Sequence, residues 1–222
     1  MVTRVTAPVR AYRLGKRQER VDETRRRIIE IARKMFVEDG FHGVGLEDLA
    51  RRAGVGRKTI YYQFGSKLGL LESLVADLGE RGGVGDFVAA ALSEPDIARA
   101  VVFFVESNCA FWEREYPVIR AFATLAASDA DARLLVDQVY AQRREDLGSL
   151  ARRARRAADL RHGWTAARLA DSWWLLTSFE TYDLLRRMGK SASEASRLLC
   201  DLCLSLIDLA QPKRGTRRAD NH

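Results

Sequence analysis

The residue types that build most catalytic and metal sites are scarce in this sequence. Its 222 residues include only three histidines and three cysteines. None of the histidines (His42, His162 and His222) has a metal-ligand spacing or stands beside a nucleophile motif, and no glycine-rich phosphate loop occurs. An all-helical enzyme is therefore the least favoured function class, and we expect no catalytic residue, no metal and no cofactor.

The cysteines are also too few, and odd in number, for a disulfide framework. Cys200 and Cys203 form a C-x-x-C motif, but it lies in an apolar helical stretch where this spacing puts both thiols on one helix face. No second cysteine pair or nearby histidine completes a zinc site. We expect the pair to be buried and structural.

Long hydrophobic runs are absent. Runs such as Val101 to Val105 fall far below the roughly 20 residues that a membrane span needs, and no apolar signal region follows the amino-terminal arginines. We expect a cytoplasmic protein with no membrane partner. Prolines number only four, whereas alanine, leucine, arginine and glutamate abound, which favours an all-α fold.

What the sequence does contain is an unevenly placed positive charge. Residues 1–67 hold 16 Lys/Arg against 8 Asp/Glu, whereas the remainder holds 21 against 22. A local cationic surface attracts polyanions, of which nucleic acid is the leading candidate. A solvated basic tail is the alternative interpretation.

Apolar periodicity and capping residues predict about nine helices and no strand of useful length. The predicted domains are a disordered basic arm over 1–20, a helix-turn-helix DNA-binding domain over 21–65, an effector-binding and dimerisation domain over 66–211, and a disordered tail over 212–222. Pro117 should break or kink the helix that surrounds it. The predicted helices are Asp22 to Gly40, Leu46 to Ala53, Arg57 to Phe64, a helix capped by Ser66, Asp86 to Leu92, Pro95 to Ala127 with the break at Pro117, Asp129 to Arg161, Thr165 to Met188 and Ser193 to Ala210.

The most informative stretch runs from Leu46 to Phe64 and predicts two short helices joined by a turn. Ala50 supplies the small residue that lets the second helix cross closely, and Gly54 supplies the positive φ that the turn needs. Apolar residues at Leu49 and Ile60 can hold the two helices together. The outer face of the second helix could then enter a major groove. An ordinary helical hairpin is the alternative interpretation.

The sequence A-G-V-G-R-K-T-I-Y-Y-Q-F-G-S-K, residues 53–67, resembles the signature of the TetR family of bacterial transcriptional regulators, A-G-V-S-x-G-T-L-Y-x-Y/H-F-x-S-K. Arg33-x-x-Phe36-x-x-x-Gly40 and Asp48-Leu49-Ala50 match as well, so the resemblance covers about residues 22–78. It implies a three-helix head, a helical-bundle body and a homodimer that commonly forms through the last two long helices. It also implies an operator-bound repressor that a small molecule releases.

The resemblance and the helix geometry together predict which residues face DNA. An arginine at the helix start can bond a guanine edge bidentately, and the polar side chains after it can reach phosphates or thymine methyls. Gly56 and Lys58 depart from the usual serine and small residue of the signature, which bears on the operator sequence. The predicted DNA-binding residues are Arg57, Lys58, Thr59, Tyr61, Tyr62, Gln63 and Lys67.

The body is rich in aromatic residues, which fit either an ordinary core and dimer interface or a mostly apolar pocket with a few polar groups. A pocket between the helix around Pro117 and the helix around Trp173 would suit a hydrophobic or aromatic effector. An architectural or ligand-independent DNA-binding protein is the alternative function. The candidate effector-binding residues are Asn108, Phe111, Trp112, Trp174, Thr177 and Ser178.

Overall fold

The computed structural model describes residues 9–160 and 163–212. The chain divides into two compact units between Asp77 and Leu78, and we call the first the head and the second the body. The described part is all-α apart from one short ribbon of two strands. Its elements are α1 (Val9–Gly43), α2 (Leu46–Arg52), α3 (Arg57–Phe64), α4 (Lys67–Gly82), α5 (Val84–Ser93), α6 (Ile97–Ala126), α7 (Ala130–Ala157), β1 (Ala158–Leu160), α8 (Ala166–Leu176), α9 (Phe179–Arg187), α10 (Ala192–Leu204) and β2 (Ile207–Pro212).

The head is a small helical unit built on the apolar stripe that the sequence predicted. Ile28, Ala32, Met35 and Phe36 of α1 are all buried. They share its core with residues of α2, α3 and the first part of α4, among them Leu49, Ile60, Phe64, Leu70, Leu71 and Leu74. Gly40 interrupts α1 with φ 68° and ψ 165°, so the predicted stop is confirmed and one further turn follows it.

The amino-terminal boundary of α1 corrects a prediction. The helix begins at Val9 rather than near Asp22, so the predicted disordered arm over 1–20 is wrong from Val9 onward. Alanine, leucine, arginine, glutamine and glutamate dominate this stretch and are strong helix formers, which outweighs the single Gly15. Gln18 also donates to the Asp22 carboxylate one turn later at 2.9 Å. Residues 1–8 lie outside the described residues.

The body has its own core, centred on α6 and shared with α5, α7, α8, α9 and α10. α6 continues through Pro117 as one helix, so the predicted alternative of a break at this proline is wrong. Asp96 caps its start by accepting from the Arg99 backbone N–H at 3.0 Å. Cys109, Cys200 and Cys203 are buried thiols, as expected for the C-x-x-C pair. Burial raises the pKa of Cys109 to about 12 and that of Cys200 to about 11, so these thiols stay protonated.

One long predicted helix, Thr165 to Met188, is in fact two. α8 ends at Leu176 and α9 begins at Phe179, because Ser178 has extended backbone angles and accepts from the Thr181 N–H at 3.2 Å. The Thr177 hydroxyl donates back to the Trp173 carbonyl at 2.7 Å. Serine and threonine side chains compete in this way with the helical backbone bonds, a local effect that apolar periodicity does not register.

The ribbon of β1 and β2 is a second correction, since no strand was predicted. α7 stops at Ala157 instead of Arg161 and α10 at Leu204 instead of Ala210, and the two following segments pair antiparallel with Leu160 opposite Ile207. Both residues pack against the body core. Burial of these apolar side chains gives a physical reason for the ribbon. The predicted tail beyond Pro212 lies outside the described residues.

None of the helices described is long and apolar enough to cross a membrane. Within the same residues, no group of three or more histidine, cysteine, aspartate or glutamate side chains could hold a metal ion.

Candidate nucleic-acid interface and interior polar cluster

The turn between α2 and α3 has the predicted geometry. Gly54 adopts φ 63°, and the backbone N–H of Val55 bonds back to the Ala50 carbonyl at 3.0 Å. Ala50 is buried where the helices meet. Gly56 occupies the N-cap position of α3 with extended angles and no side-chain cap, so the α3 N-terminus keeps unpaired N–H groups.

The orientation of α3 follows from which of its residues are buried. Ile60 and Phe64 face the head core. Because successive residues turn by about 100° around an α-helix, Lys58 and Tyr62 lie on the opposite face. Tyr62 is 83% exposed, which is unusual for so large an aromatic side chain. Lys58 is likewise exposed.

The other predicted DNA-facing residues of α3 lie on either side of the exposed face that carries Lys58 and Tyr62. Arg57 and Tyr61 form one flank, and the Arg57 guanidinium donates to the Tyr61 hydroxyl at 3.2 Å. Thr59 and Gln63 form the other flank and are half-buried. All six predicted α3 residues therefore lie on one continuous outer surface, and Lys58 and Tyr62 are at its centre.

Glu47, on the first turn of α2, is a residue of this surface that the sequence analysis missed. Its carboxylate forms an ion pair with Arg57. The hydrogen bond and charge of Tyr61, together with the charge of Glu47, raise the pKa of Arg57 further above its already high ordinary value. The guanidinium is thus held between two neighbours, whereas the sequence motif gave no sign of an acidic partner ten residues away.

Arg25 of α1 is a second residue that the sequence analysis missed. Its guanidinium donates to the Gln63 carbonyl at 2.8 Å and to the Ser73 hydroxyl at 2.9 Å, and it lies 4.7 Å from the centre of the Phe64 ring. It therefore ties the carboxyl end of α3 to α1 and α4. Only the fold brings these residues together, since Arg25 precedes Gln63 by 38 positions.

Lys67, predicted as a phosphate contact, lies at the start of α4. Its ammonium group donates to the His42 carbonyl at 3.2 Å and stands 4.7 Å from the centre of the Phe41 ring. Partial burial lowers its pKa. An ammonium has three donors, so two remain for an outside acceptor. Ser66 caps α4 by accepting from the Gly69 N–H at 3.0 Å, as predicted.

In the body, several predicted effector-binding residues meet at the junction of α8 and α9. The Thr177 carbonyl accepts from Asn108 Nδ2 at 2.8 Å, from Trp112 Nε1 at 3.0 Å and from Arg143 Nη2 at 2.6 Å. Arg143 Nη1 also lies 3.4 Å from the Trp174 carbonyl. We call Asn108, Trp112, Arg143, Trp174 and Thr177 the Thr177 cluster. Arg143 was not among the predicted residues, because its α7 neighbours suggested a solvated helix face.

The two remaining predicted residues border this cluster. Phe111 packs on Trp112 with ring centres 4.8 Å apart. On its other side Phe111 lies against Gly82 at the end of α4, so closely that an added Cβ there would come within 2.6 Å of the ring. Ser178 caps α9, as described above. Phe111 therefore connects the Thr177 cluster to the end of α4 by contacting both Trp112 and Gly82.

Comparison with known proteins gives matches at two levels. Residues 28–74 match the family model described as bacterial regulatory proteins, tetR family. Over 55 residues the chain is 42% identical to the HTH-type transcriptional regulator SrpR of Pseudomonas putida, a match that covers 25% of this chain and 26% of SrpR. The chain therefore aligns with only about a quarter of that relative's length.

Solved structures extend the likeness to the fold of most of the chain. The TetR family regulator PfmR from Thermus thermophilus covers 80% of this chain and 97% of its own, with a TM-score of 0.61 and 22% identity. A protein from Saccharomonospora viridis, solved in complex with choline, covers 84% of this chain and 99% of its own, with a TM-score of 0.64 and 22% identity. At these identities the likeness concerns the fold alone.

Proposed function

We propose that this chain, which carries the amino-terminal domain of the TetR family and has the fold of a regulator of that family, is a ligand-responsive DNA-binding transcriptional regulator. The observation that supports this most directly is the outer surface of α3. It offers an exposed lysine and an almost fully exposed tyrosine on the face opposite the buried Ile60 and Phe64. A helix of this kind can enter a major groove and contact base edges.

The charge of the chain supports the same proposal. Its excess positive charge is confined to the segment that forms the head, and neutralising DNA phosphates releases counterions and drives binding. The helix N-terminus, with Gly56 as its only cap, adds partial positive charge near Arg57 and Lys58. Each feature alone would suit any nucleic-acid-binding protein. Their combination on one helix-turn-helix favours sequence-specific binding of double-stranded DNA.

Homodimerisation is part of the proposal. The carboxy-terminal helices expose large apolar side chains that the body core leaves uncovered, and such surfaces commonly mark interfaces. These residues are Leu184, Met188, Leu198 and Leu202. A two-fold dimer would present two α3 helices to half-sites about 34 Å apart.

Ligand response is the third part. The proposed effector region is the body between α6 and α8, where the Thr177 cluster lies. Phe111 links that cluster to the end of α4. Arg114 on the same helix as Phe111 also holds this end, because its Nη2 donates to the Gly82 carbonyl at 3.0 Å. A ligand that moves Phe111 would therefore displace α4. Repression released by the ligand is the proposed sign of regulation.

The test is titration of the purified protein against DNA from upstream of its own gene, with random DNA as competitor, at two salt concentrations. We expect a specific complex favoured by about 10³ or more. Lys58→Ala should weaken it, whereas Arg156→Ala, which removes the same charge from an exposed position of α7, should not. Equal, steeply salt-dependent binding to both DNAs would instead support the architectural alternative, and absence of binding at low salt would exclude DNA binding altogether.

A further inference from the structure

The Thr177 cluster holds more hydrogen-bond donors than acceptors. Asn108, Trp112 and Arg143 all donate to one carbonyl oxygen, which has only two lone pairs. Arg143 Nε and Trp174 Nε1 are both buried and have no hydrogen-bond partner among the described residues. Buried donors without partners carry a desolvation cost, so each such group calls for an explanation.

Arg143 adds an unbalanced charge to this surplus of donors. Its bonds go to backbone carbonyls and to the Thr177 hydroxyl, and among the described residues it has no ion pair with a carboxylate. Glu180, whose charge acts on Arg143, instead accepts from the Tyr140 hydroxyl at 2.7 Å. Burial accordingly lowers the pKa of Arg143 to about 10. A buried guanidinium is ordinarily paired with an anion.

An open groove lies beside Trp174, one of the two residues with an unpaired donor. It has a volume of about 480 Å³, and Trp174 is one of its walls together with Tyr140, Leu175 and others from α7 and α8. The Tyr140 and Trp174 rings meet edge to face at 5.5 Å, and the exposed Leu175 extends this apolar wall. Arg144 and Asp171, which also line the groove, neutralise each other at 2.6 Å.

We propose that this groove binds a small organic acid, whose apolar body lies against Tyr140, Trp174 and Leu175 and whose carboxylate accepts from Trp174 Nε1. A carboxylate supplies the acceptor that the Trp174 N–H lacks. Its negative charge also suits the unbalanced positive charge of Arg143, whose Nη1 lies 3.4 Å from the Trp174 carbonyl. Asp137, which also lines the groove, adds a negative charge that favours a monoanion over a polycarboxylate. The inference rests on the proposed ligand response and names the class of effector.

The test uses the full chain and three probe acids, benzoate, phenylacetate and hexanoate, each compared with its neutral amide by calorimetry. We expect at least one acid to bind at least tenfold more tightly than its amide. Trp174→Phe keeps a ring and removes the N–H, so it should weaken acid binding about tenfold or more, because a hydrogen bond to a charged group is lost. Trp164→Phe, which alters a partly buried tryptophan outside the cluster, is the matched control.

A spectroscopic readout separates a direct contact from a structural effect. The chain has four tryptophans, and the indole N–H signal that disappears in Trp174→Phe identifies Trp174. Saturating acid should move that signal downfield as its hydrogen bond forms, and the neutral amide should not. The inference is overturned if no acid binds below 10 mM, if acid and amide bind equally, or if Trp174→Phe binds the acid as the parent does.

The same protein also separates this inference from the proposed function. Acid binding that leaves operator affinity unchanged would retain the groove as a carboxylate site and reject ligand response. Specific operator binding by a protein that binds none of the acids would reject the carboxylate site and retain the DNA-binding function.

Discussion

The head and the body use the same kinds of side chain in opposite surroundings. On the head, Lys58 and Tyr62 extend into solvent from the face of α3 opposite the buried Ile60 and Phe64. In the body, Arg143 and Trp174 each have a buried side-chain N–H that finds no partner in the part of the chain that the structure describes. Exposed donors suit a large polyanion that brings its own water and counterions, whereas buried donors suit a small acceptor that replaces both. The location of its donors thus indicates what each unit binds.

The largest effects should come from the same leucine-to-alanine substitution made in the core of the head and in the core of the body. Leu49 in the head and Leu169 in the body are both 0% exposed, so Leu49→Ala and Leu169→Ala each leave a cavity and should lower the free energy of unfolding by about 2–5 kcal/mol. Leu49→Ala should abolish specific DNA binding and spare carboxylate binding, and Leu169→Ala should impair carboxylate binding first. Denaturant unfolding and the two titrations measure this.

If the two variants instead lose both activities together, the units unfold as one cooperative body. The DNA-binding surface and the groove would then belong to a single cooperative unit and would have no separate stabilities.

The sequence could predict the head better than the body for a physical reason. The turn at Gly54, the burial of Ala50 and the exposure of Lys58 depend on residues within about ten positions of one another, so spacing alone determines them. The Thr177 cluster depends on residues up to 69 positions apart. No local pattern reveals Arg143 as an interior residue when its α7 neighbours are charged.

The same reasoning explains the errors within the head. The clamp that Arg25 makes on α3 and the ion pair of Glu47 with Arg57 both join different helices. The motif indicated where α3 begins and ends, but nothing in it identifies the partners that hold α3 in place. In the body, the break at Ser178 is local, yet it depends on two side-chain hydrogen bonds that outweigh a strong apolar periodicity.

A middle-sized effect should appear at Phe111, which joins the Thr177 cluster to the end of α4. Phe111→Leu would remove the ring that lies against Gly82 and Trp112. Acid binding should change little, but the acid should release DNA less well, with the coupling free energy reduced by about 0.5–2 kcal/mol. Phe103→Leu is the control, since Phe103 is on the same helix and 42% exposed. Equal release in both variants would mean that Phe111 takes no part in the coupling.

The smallest effect should come from Glu47, the acidic residue on the otherwise cationic surface. Glu47→Gln removes a negative charge beside the proposed phosphate contacts, so affinity for random DNA at low salt should rise about two- to fivefold and the gain should shrink as salt screens it. Because the neutral side chain no longer holds Arg57 firmly, the ratio of operator to random binding should fall. Glu72→Gln makes the same charge change at an exposed position of α4. A similar result for both variants would mean that Glu47 acts only through its charge. A lower ratio of operator to random binding in Glu47→Gln alone would mean that Glu47 positions Arg57 for contact with the bases.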